Sequence, residues 1–311
     1  MTQFAMVFPG QGSQSVGMLN ELGEKYCVVK DTFAEASSVL GYDLWQLVQD
    51  GPAEELNKTW ITQPALLAAS VAVFRVWQQE NGAKPQFMAG HSLGEYSALV
   101  CAGVIDFKDA IKLVELRGKL MQEAVPVGTG AMYAIIGLDN DSIVKACQEA
   151  TQGQVVSPVN FNSPGQVVIA GNKEAVERAG ILCKEAGAKR ALPLAVSVPS
   201  HCALMKPAAD KLAKTLDDIV FNKPNYPVIN NVNVKIEDDA QAIKDALVAQ
   251  LYSPVRWTEI VEYMAKNGSS VLIEMGPAKV LTGLTKRIVD SLSGSAVNDS
   301  TSLLTALESV K

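Results

Sequence analysis

The sequence predicts an α/β protein with a parallel sheet, interrupted by a small inserted domain. Three observations predict it. Over most of the 311 residues, short apolar runs closed by Gly or Pro alternate with helix-like segments, the pattern of βα units. The middle of the chain instead has the order β-α-β-β-α-β, that of a ferredoxin-like unit. Apolar residues make up 48% of the chain, enough for about two ordinary domains to bury a large core. The large domain is read over 1–126 and 197–311, the small one over 127–196.

Each element has its own signal. Phe4–Phe8 is an apolar run closed by Pro9-Gly10, as a buried strand would be. Phe87–Ala89 is a second, followed by Gly-His-Ser-Leu-Gly and a helix-like Glu95–Ala102 that stops at Gly103. Asp106 is placed to cap a helix running to about Ala124. In the middle, Met132–Ile136 reads as a strand and Ser142–Ala150 as a helix. Val155–Asn160 and Gln166–Gly171 read as two strands joined by the turn Asn162-Ser163-Pro164-Gly165. A helix from about Lys173 to Ala186 and a strand near Arg190–Leu194 complete the unit. Val271–Met275 is a late strand, ended by Gly276-Pro277 and followed by a helix to about Val289. Tyr252, Trp257 and Tyr263 stand at near-helical spacing and read as core, and the scattered Met residues as packing. The tail after Ser291 is rich in Ser and its pattern assigns no element.

Charge and cysteine usage exclude several classes. Lys+Arg 27 against Asp+Glu 33 gives a net charge of −6, whereas a general nucleic-acid binder needs a basic face. Five cysteines, an odd number without a C-x-x-C pair, argue against a disulfide scaffold or a Cys-rich zinc site and for a reducing compartment. The start of the chain lacks a basic n-region, and the longest near-apolar run, Ala65–Phe74, is too short to span a bilayer and ends at Arg75. A cytoplasmic protein with no metal, nucleic-acid or membrane partner is expected, and a monomer is among its expected states.

Gly90-His91-Ser92-Leu93-Gly94 is a G-x-S-x-G motif between a strand and a helix, the context of a nucleophile elbow. The helix N-terminus behind Ser92 offers free N–H groups to a developing oxyanion. The alternative is a plain glycine-rich turn. A serine nucleophile needs a base, and the chain has two histidines. His91 adjoins the elbow serine and should pack beside the turn. His201, in Val198-Pro199-Ser200-His201, lies where the small domain returns to the large one and can face Ser92. A loop histidine bonded to backbone is its other reading. No acidic residue stands out as an orienting partner, so a dyad or a histidine held by a backbone carbonyl is expected rather than a full triad. Pro9-Gly10-Gln11-Gly12-Ser13-Gln14 lacks the Gly-Lys-Ser/Thr ending of a triphosphate loop. It reads as a second oxyanion donor or a simple tight turn.

Arg117 is the most informative charge. Its helical neighbours Leu113, Val114, Leu120 and Met121 are all apolar, whereas Lys112 and Lys119 have acidic neighbours on their own faces. It therefore points inward. A buried guanidinium needs an anionic or multi-acceptor partner, and the pattern allows an internal carboxylate and a substrate carboxylate equally. The basic pairs Lys189-Arg190 and Lys286-Arg287 form a local positive patch or solvated surface.

Together these motifs resemble a known family. Phe-Pro-Gly-Gln-Gly-Ser-Gln at 8–14, Gly-His-Ser-Leu-Gly-Glu-Tyr at 90–96, the Arg117 helix, Asn-Phe-Asn-Ser-Pro-Gly-Gln at 160–166, Pro-Ser-His at 199–201 and Gln-Leu-Tyr at 250–252 occur in the order found in bacterial malonyl-CoA:acyl carrier protein transacylases of type II fatty acid synthesis. The resemblance weakens after about Val289. It implies an α/β-hydrolase-like catalytic domain with a ferredoxin-like insert. It implies ping-pong transfer of a malonyl group from malonyl-CoA to the phosphopantetheine thiol of acyl carrier protein, with coenzyme A thioester as substrate and no permanently bound cofactor. Ser92 would carry the acyl group and His201 would be the base. The main-chain carbonyl of Gln250 would orient that base, the amides of Gln11 and Leu93 would form the oxyanion hole, and Arg117 would clamp the malonyl carboxylate. Related polyketide acyltransferases pair Phe just before the histidine with malonyl and Ser with methylmalonyl. Ser200 holds that position here, so strict exclusion of a branched acyl group is not expected. Acyl carrier proteins are acidic, which would make Lys189, Arg190, Lys286 and Arg287 docking candidates. The rival readings are a serine thioesterase or hydrolase acting on acyl-CoA and a non-catalytic carrier-protein-binding subunit.

Overall fold

All five residues of β1 (Phe4–Phe8) are buried, and the strand takes the middle of a five-stranded sheet. The structure, a computed structural model, describes residues 2–196 and 198–311. In chain order β1 is followed by α1 (Asn20–Lys25), α2 (Cys27–Leu40), α3 (Leu44–Asp50), α4 (Ala53–Leu56), α5 (Thr59–Gln79), β2 (Phe87–Gly90), α6 (Leu93–Cys101) and α7 (Phe107–Ala124). Next come β3 (Gly130–Ile136), α8 (Asn140–Ala150), β4 (Val156–Ser163), β5 (Gln166–Asn172), α9 (Lys173–Glu185) and β6 (Arg190–Pro193). The chain closes with α10 (Lys206–Asp217), β7 (Val228–Ile229), α11 (Ala240–Gln250), α12 (Trp257–Lys266), β8 (Val271–Met275), α13 (Val280–Ile288), β9 (Ser293–Val297) and α14 (Ser300–Ser309).

The first sheet has the order β7-β2-β1-β8-β9 and all its pairs are parallel. Its central strands are buried throughout, as expected where helices cover both faces. The second sheet, β4-β5-β3-β6, is antiparallel. Helices α8 and α9 pack on it through Ile143, Ala146, Val176 and Ala179. The α/β class and the ferredoxin-like order are both present. The boundary read between 196 and 197 falls on Ser197, outside the described residues.

Several elements differ from the sequence reading. The run Ala65–Phe74 is only the middle of the 21-residue α5. That helix is long and apolar enough to cross a bilayer by composition, yet its apolar window is 89% buried within the protein. The turn read over Asn162–Gly165 is tighter, because β4 continues to Ser163 and only Pro164 and Gly165 connect it to β5. Tyr252 lies outside the helix α12 that carries Trp257 and Tyr263. Gln250 ends α11, Pro254 follows, and α12 begins at Trp257; Pro254 has no N–H to offer a helix running through this segment. The tail forms β9, paired in parallel with β8, and the capped helix α14.

The small sheet is stitched to the segment between α11 and α12, where the site lies. Phe161 N–H donates to the Val255 carbonyl at 3.0 Å and Val255 N–H to the Val159 carbonyl at 2.8 Å. Met132, Val159, Val168 and Ala170 from the small sheet pack against Cys202, the residue after His201.

Candidate active site

Ser92 sits between the end of β2 and the first turn of α6 with φ 52° and ψ −107°, a conformation that L-residues avoid and that costs about 1–3 kcal/mol. The flanking glycines make this turn possible by close approach. A Cβ on Gly90 would lie 1.8 Å from the Gly94 carbonyl carbon, and one on Gly94 would lie 2.0 Å from the Phe8 carbonyl oxygen. Any larger residue would push α6 off the sheet.

His201 reaches Ser92 from the loop after β6. Its Nε2 is 2.7 Å from Ser92 Oγ and its Nδ1 is 2.7 Å from the Gln250 carbonyl oxygen. A carbonyl can only accept, so Nδ1 carries the proton and Nε2 presents its lone pair to the serine. Gln250 is the last residue of α11, and the last carbonyls of a helix have no partner within it. The orienting acceptor is thus a helix end rather than an acid. Burial above all, with Arg117 and His91 adding to it, lowers the His201 pKa to about 3, against the contribution of the Gln250 hydrogen bond. The histidine is neutral near pH 7.

Arg117 is fully buried. Its Nη1 donates to Gln63 Oε1 at 2.7 Å, and its Nη2 donates to Gln250 Oε1 at 2.9 Å and to Ser92 Oγ at 3.2 Å. Its Nε finds no partner, and its Cζ lies 5.2 Å from the Tyr96 ring centroid. Burial lowers its pKa, opposed by Tyr96 and Glu95, but an arginine starts so high that it stays charged. No carboxylate touches it among the described residues. The nearest internal acid, Glu95, stands one amide away: Gln250 Nε2 donates to Glu95 Oε2 at 2.8 Å. Burial raises the Glu95 pKa to about 7, opposed by hydrogen bonds from Gln250 and Asn231 and by Arg117.

The loop after β1 lies beside the elbow. Gln11 Oε1 accepts from Thr59 Oγ1 at 3.2 Å, and Thr59 Oγ1 accepts from Gln63 Nε2 at 3.1 Å, so side chains run from this loop to Arg117. Among the described residues, the backbone N–H groups of Gln11 and Leu93 have no bonded partner. Ser92 N–H, by contrast, donates to Asn231 Oδ1 at 2.7 Å. A cleft of about 420 Å³ opens over these groups, lined among others by Gln11, Ser92, Met132, Val198, Ser200 and His201.

Ser92, His201, Gln250, Gln11, Leu93 and Arg117 are therefore brought together as the motifs predict. His91 stands apart: its Nε2 is 2.8 Å from Asn162 Oδ1 and its ring lies 5.6 Å from that of Trp257. Asn162 falls at an irregularity of β4 between Phe161 and Ser163, the kind of bulge that re-aims a side chain. Lys189, Arg190, Lys286 and Arg287 lie away from the cleft and are exposed. Gln63, Glu95 and Asn231 escaped the sequence reading. Gln63 left a signal, as a polar residue beside Pro64 at the head of a long apolar run. Glu95 left a weaker one in the first turn after the elbow, and Asn231, one of several asparagines in its segment, left none.

Residues 5–305 match the acyl transferase domain family. The chain is 72% identical over 308 residues to the malonyl CoA-acyl carrier protein transacylase of Escherichia coli, covering 99% of this chain and all of that one. It is 46% identical over 312 residues to the Bacillus subtilis protein of the same name, covering 100% and 98%. Among solved structures, a malonyl-transacylase in complex with a type II PKS acyl-carrier protein superposes with a TM-score of 0.98 at 74% identity, over 99% of this chain and 100% of that one. An acyl carrier protein S-malonyltransferase from Vibrio cholerae gives 0.96 at 74% identity, over 98% and 99%. With the elbow, the helix-end acceptor and the buried arginine in place, the chain belongs to the acyl transferase family and, within it, to the malonyl CoA-acyl carrier protein transacylases.

Proposed function

We infer that this protein moves a malonyl group from malonyl-CoA to the phosphopantetheine thiol of acyl carrier protein through an ester on Ser92. The observation that carries the reading is one constellation: His201 bridges Ser92 Oγ and the Gln250 carbonyl, and a charged, buried Arg117 lies 3.2 Å from the same Oγ. As Oγ attacks the thioester carbon, its proton passes to His201 Nε2. The carbonyl oxygen becomes an oxyanion that the Gln11 and Leu93 amides are free to receive. Collapse breaks the C–S bond, and the leaving thiolate takes the proton from His201 to become the thiol of coenzyme A. The carrier thiol then repeats these steps on the ester, and Ser92 regains its proton.

Arg117 selects the acid-bearing acyl group. When Oγ moves towards the substrate carbon, its Nη2–H is released and can join the remaining Nη1–H as a fork for a carboxylate. Such a group distinguishes malonyl from acetyl by charge. Ser200, half-buried at the cleft wall, sets a weaker preference, since one methyl is worth about 1–3 kcal/mol. The coenzyme A thioester is a substrate and no resident cofactor takes part. The assigned compartment is the cytoplasm, on the odd cysteine count without a C-x-x-C pair, and the carrier serves fatty acid synthesis. The hydrolase alternative is not favoured, because it has no use for a guanidinium beside the nucleophile.

Labelled malonyl-CoA with intact-protein and peptide mass spectrometry tests the reading. One malonyl group is expected on Ser92 of the native protein and none on Ser92→Ala. Arg117→Ala should lower malonyl loading by roughly 10²-fold or more while acetyl loading rises relative to it. No label on Ser92, or an unchanged malonyl-to-acetyl ratio in Arg117→Ala, would overturn the corresponding assignment.

A further inference from the structure

The strained backbone of Ser92 must be held by something outside its own turn, because such conformations persist only where the surroundings over-determine them. The residue that does so is Asn231, fully buried just after β7. Its Oδ1 accepts the Ser92 N–H at 2.7 Å and its Nδ2 donates to the Gly90 carbonyl at 2.7 Å. An N–H can only donate and a carbonyl can only accept, so these two partners fix which way round the amide lies. The bonds grip the elbow on both sides of His91. They also extend the ladder of β2 and β7, whose last backbone pair is Ala89 with Ile229, by replacing a strand with a side chain.

Asn231 is held in turn. Its own N–H donates to Glu95 Oε2 at 2.9 Å, and Arg256 N–H donates to its carbonyl at 3.2 Å. The same Glu95 oxygen accepts from Gln250 Nε2 at 2.8 Å, and that Nε2 also donates to the Ser92 carbonyl at 3.1 Å. Ser92 N–H and C=O are therefore both engaged from behind the cleft, by Asn231 and Gln250, with Glu95 holding the pair together.

We propose that Asn231 is a positioning residue for the nucleophile: its side-chain amide clasps Gly90 and Ser92, holds the serine backbone in its strained conformation, and leaves Leu93 as the elbow's donor to the oxyanion. The proposal rests on Ser92 being the nucleophile. Because Asn231 lies behind the elbow and outside the cleft lining, its loss should act on the chemical step rather than on substrate binding.

Two variants test it. For Asn231→Ala, single-turnover malonylation of Ser92 should slow by roughly 10- to 100-fold, with KM for malonyl-CoA changed less than about threefold. A small fluorophosphonate probe, which needs the elbow and the oxyanion donors but not Arg117, should label Ser92 more slowly by a similar factor. Asn231→Asp separates the clasp from general loss of packing. As a neutral acid it can accept from Ser92 N–H and donate to the Gly90 carbonyl; ionised, it cannot donate. Position 231 is faced by Glu95 from α6, by Arg117 from α7 through Gln250, by Arg256 ahead of α12, and across the elbow by His91 and His201. The rate of Asn231→Asp relative to the native protein should therefore rise severalfold from about pH 8 to about pH 5. Native-like loading by Asn231→Ala, a loss confined to KM, or a pH-independent ratio for Asn231→Asp would overturn the clasp. Absence of label on Ser92 in the native protein would instead overturn the nucleophile assignment.

Discussion

A histidine enclosed by protein is reluctant to take a second proton, and His201 is enclosed on every side but the cleft. Its pKa is lowered to about 3, by burial first and by Arg117 and His91 in addition. The sign follows directly: the free base is the dominant form at every pH above that value, so acid should not switch the base off near the ordinary histidine pKa of about 6.5. Glu95 behaves oppositely. Its pKa is raised to about 7 by burial, so it gains a proton as pH falls through neutrality. Protonated, it still accepts through one oxygen but loses charge behind Arg117. The expected kcat/KM for malonylation of Ser92 varies by less than about threefold between roughly pH 7.5 and 5, and any shallow inflection near neutrality disappears in Glu95→Gln. A tenfold fall centred on the ordinary histidine range would show that His201 titrates normally. At this scale the sequence was readable where a residue type is rare. Two histidines and one arginine among apolar helical neighbours stood out, and both His201 and Arg117 are in the constellation. The common amides were not readable. Asn231 and the side chain of Gln250 act through distances that only the fold brings about, and even Gln63, polar at the head of an apolar run, showed no partner in the sequence.

Elements divide by how their residues are buried. Strands covered on both faces, such as β1, β2 and β8, read as continuous apolar runs and were placed to within a residue. Strand β9 has exposed or half-buried Ser293, Gly294 and Ser295, with burial only at Ala296 and Val297. Its strand character comes from pairing with β8, which no local pattern records. Within β8 one polar residue is out of place, and it serves a helix. Glu274, fully buried, accepts from the N–H of Leu281 at 3.1 Å and of Thr282 at 2.8 Å, and from Thr282 Oγ1 at 2.7 Å. It thus satisfies the orphan donors at the start of α13, whose preceding residue Lys279 provides no side-chain cap. Removing it leaves buried donors unpaired, at about 1–3 kcal/mol for a group. Glu274→Ala should lower the unfolding free energy by about 2–4 kcal/mol in urea titrations, and Glu274→Gln by less, since the amide oxygen still accepts. Equal losses in the two variants, or less than about 1 kcal/mol in Glu274→Ala, would mean that α13 is anchored elsewhere.

For the whole molecule the question is how a protein of net charge −6 receives an acidic carrier. The long-range field opposes the encounter, so a local basic surface has to overcome it. The two separated basic pairs, Lys189-Arg190 and Lys286-Arg287, are the candidates for it. Arg190 pairs in register with Ile136, and Ile136 pairs on its other side with Gln166. Arg287, near the end of α13, donates to Gln166 Oε1 at 3.1 Å. Arg190 on β6 and Arg287 on α13 are thus both tied to the Ile136–Gln166 end of the small sheet, where the β4–β5 hairpin turns, with Lys189 and Lys286 beside them in sequence, and all four are exposed. The same hairpin carries Asn162 to His91, which links this surface to the cleft. Exposed charges contribute about 0.2–1 kcal/mol each and act within a Debye length of about 8 Å at physiological ionic strength, so the effect should reside in encounter and orientation. Reversing either pair to glutamate should raise KM for the carrier protein about three- to tenfold, leave KM for malonyl-CoA within about twofold, and flatten the rise of the carrier's KM with salt. Ser92 acylation from malonyl-CoA then serves as the internal control in each variant. Equal effects on both substrates would assign the patch to the phosphates of coenzyme A, and an unchanged salt slope would move the carrier's landing site elsewhere.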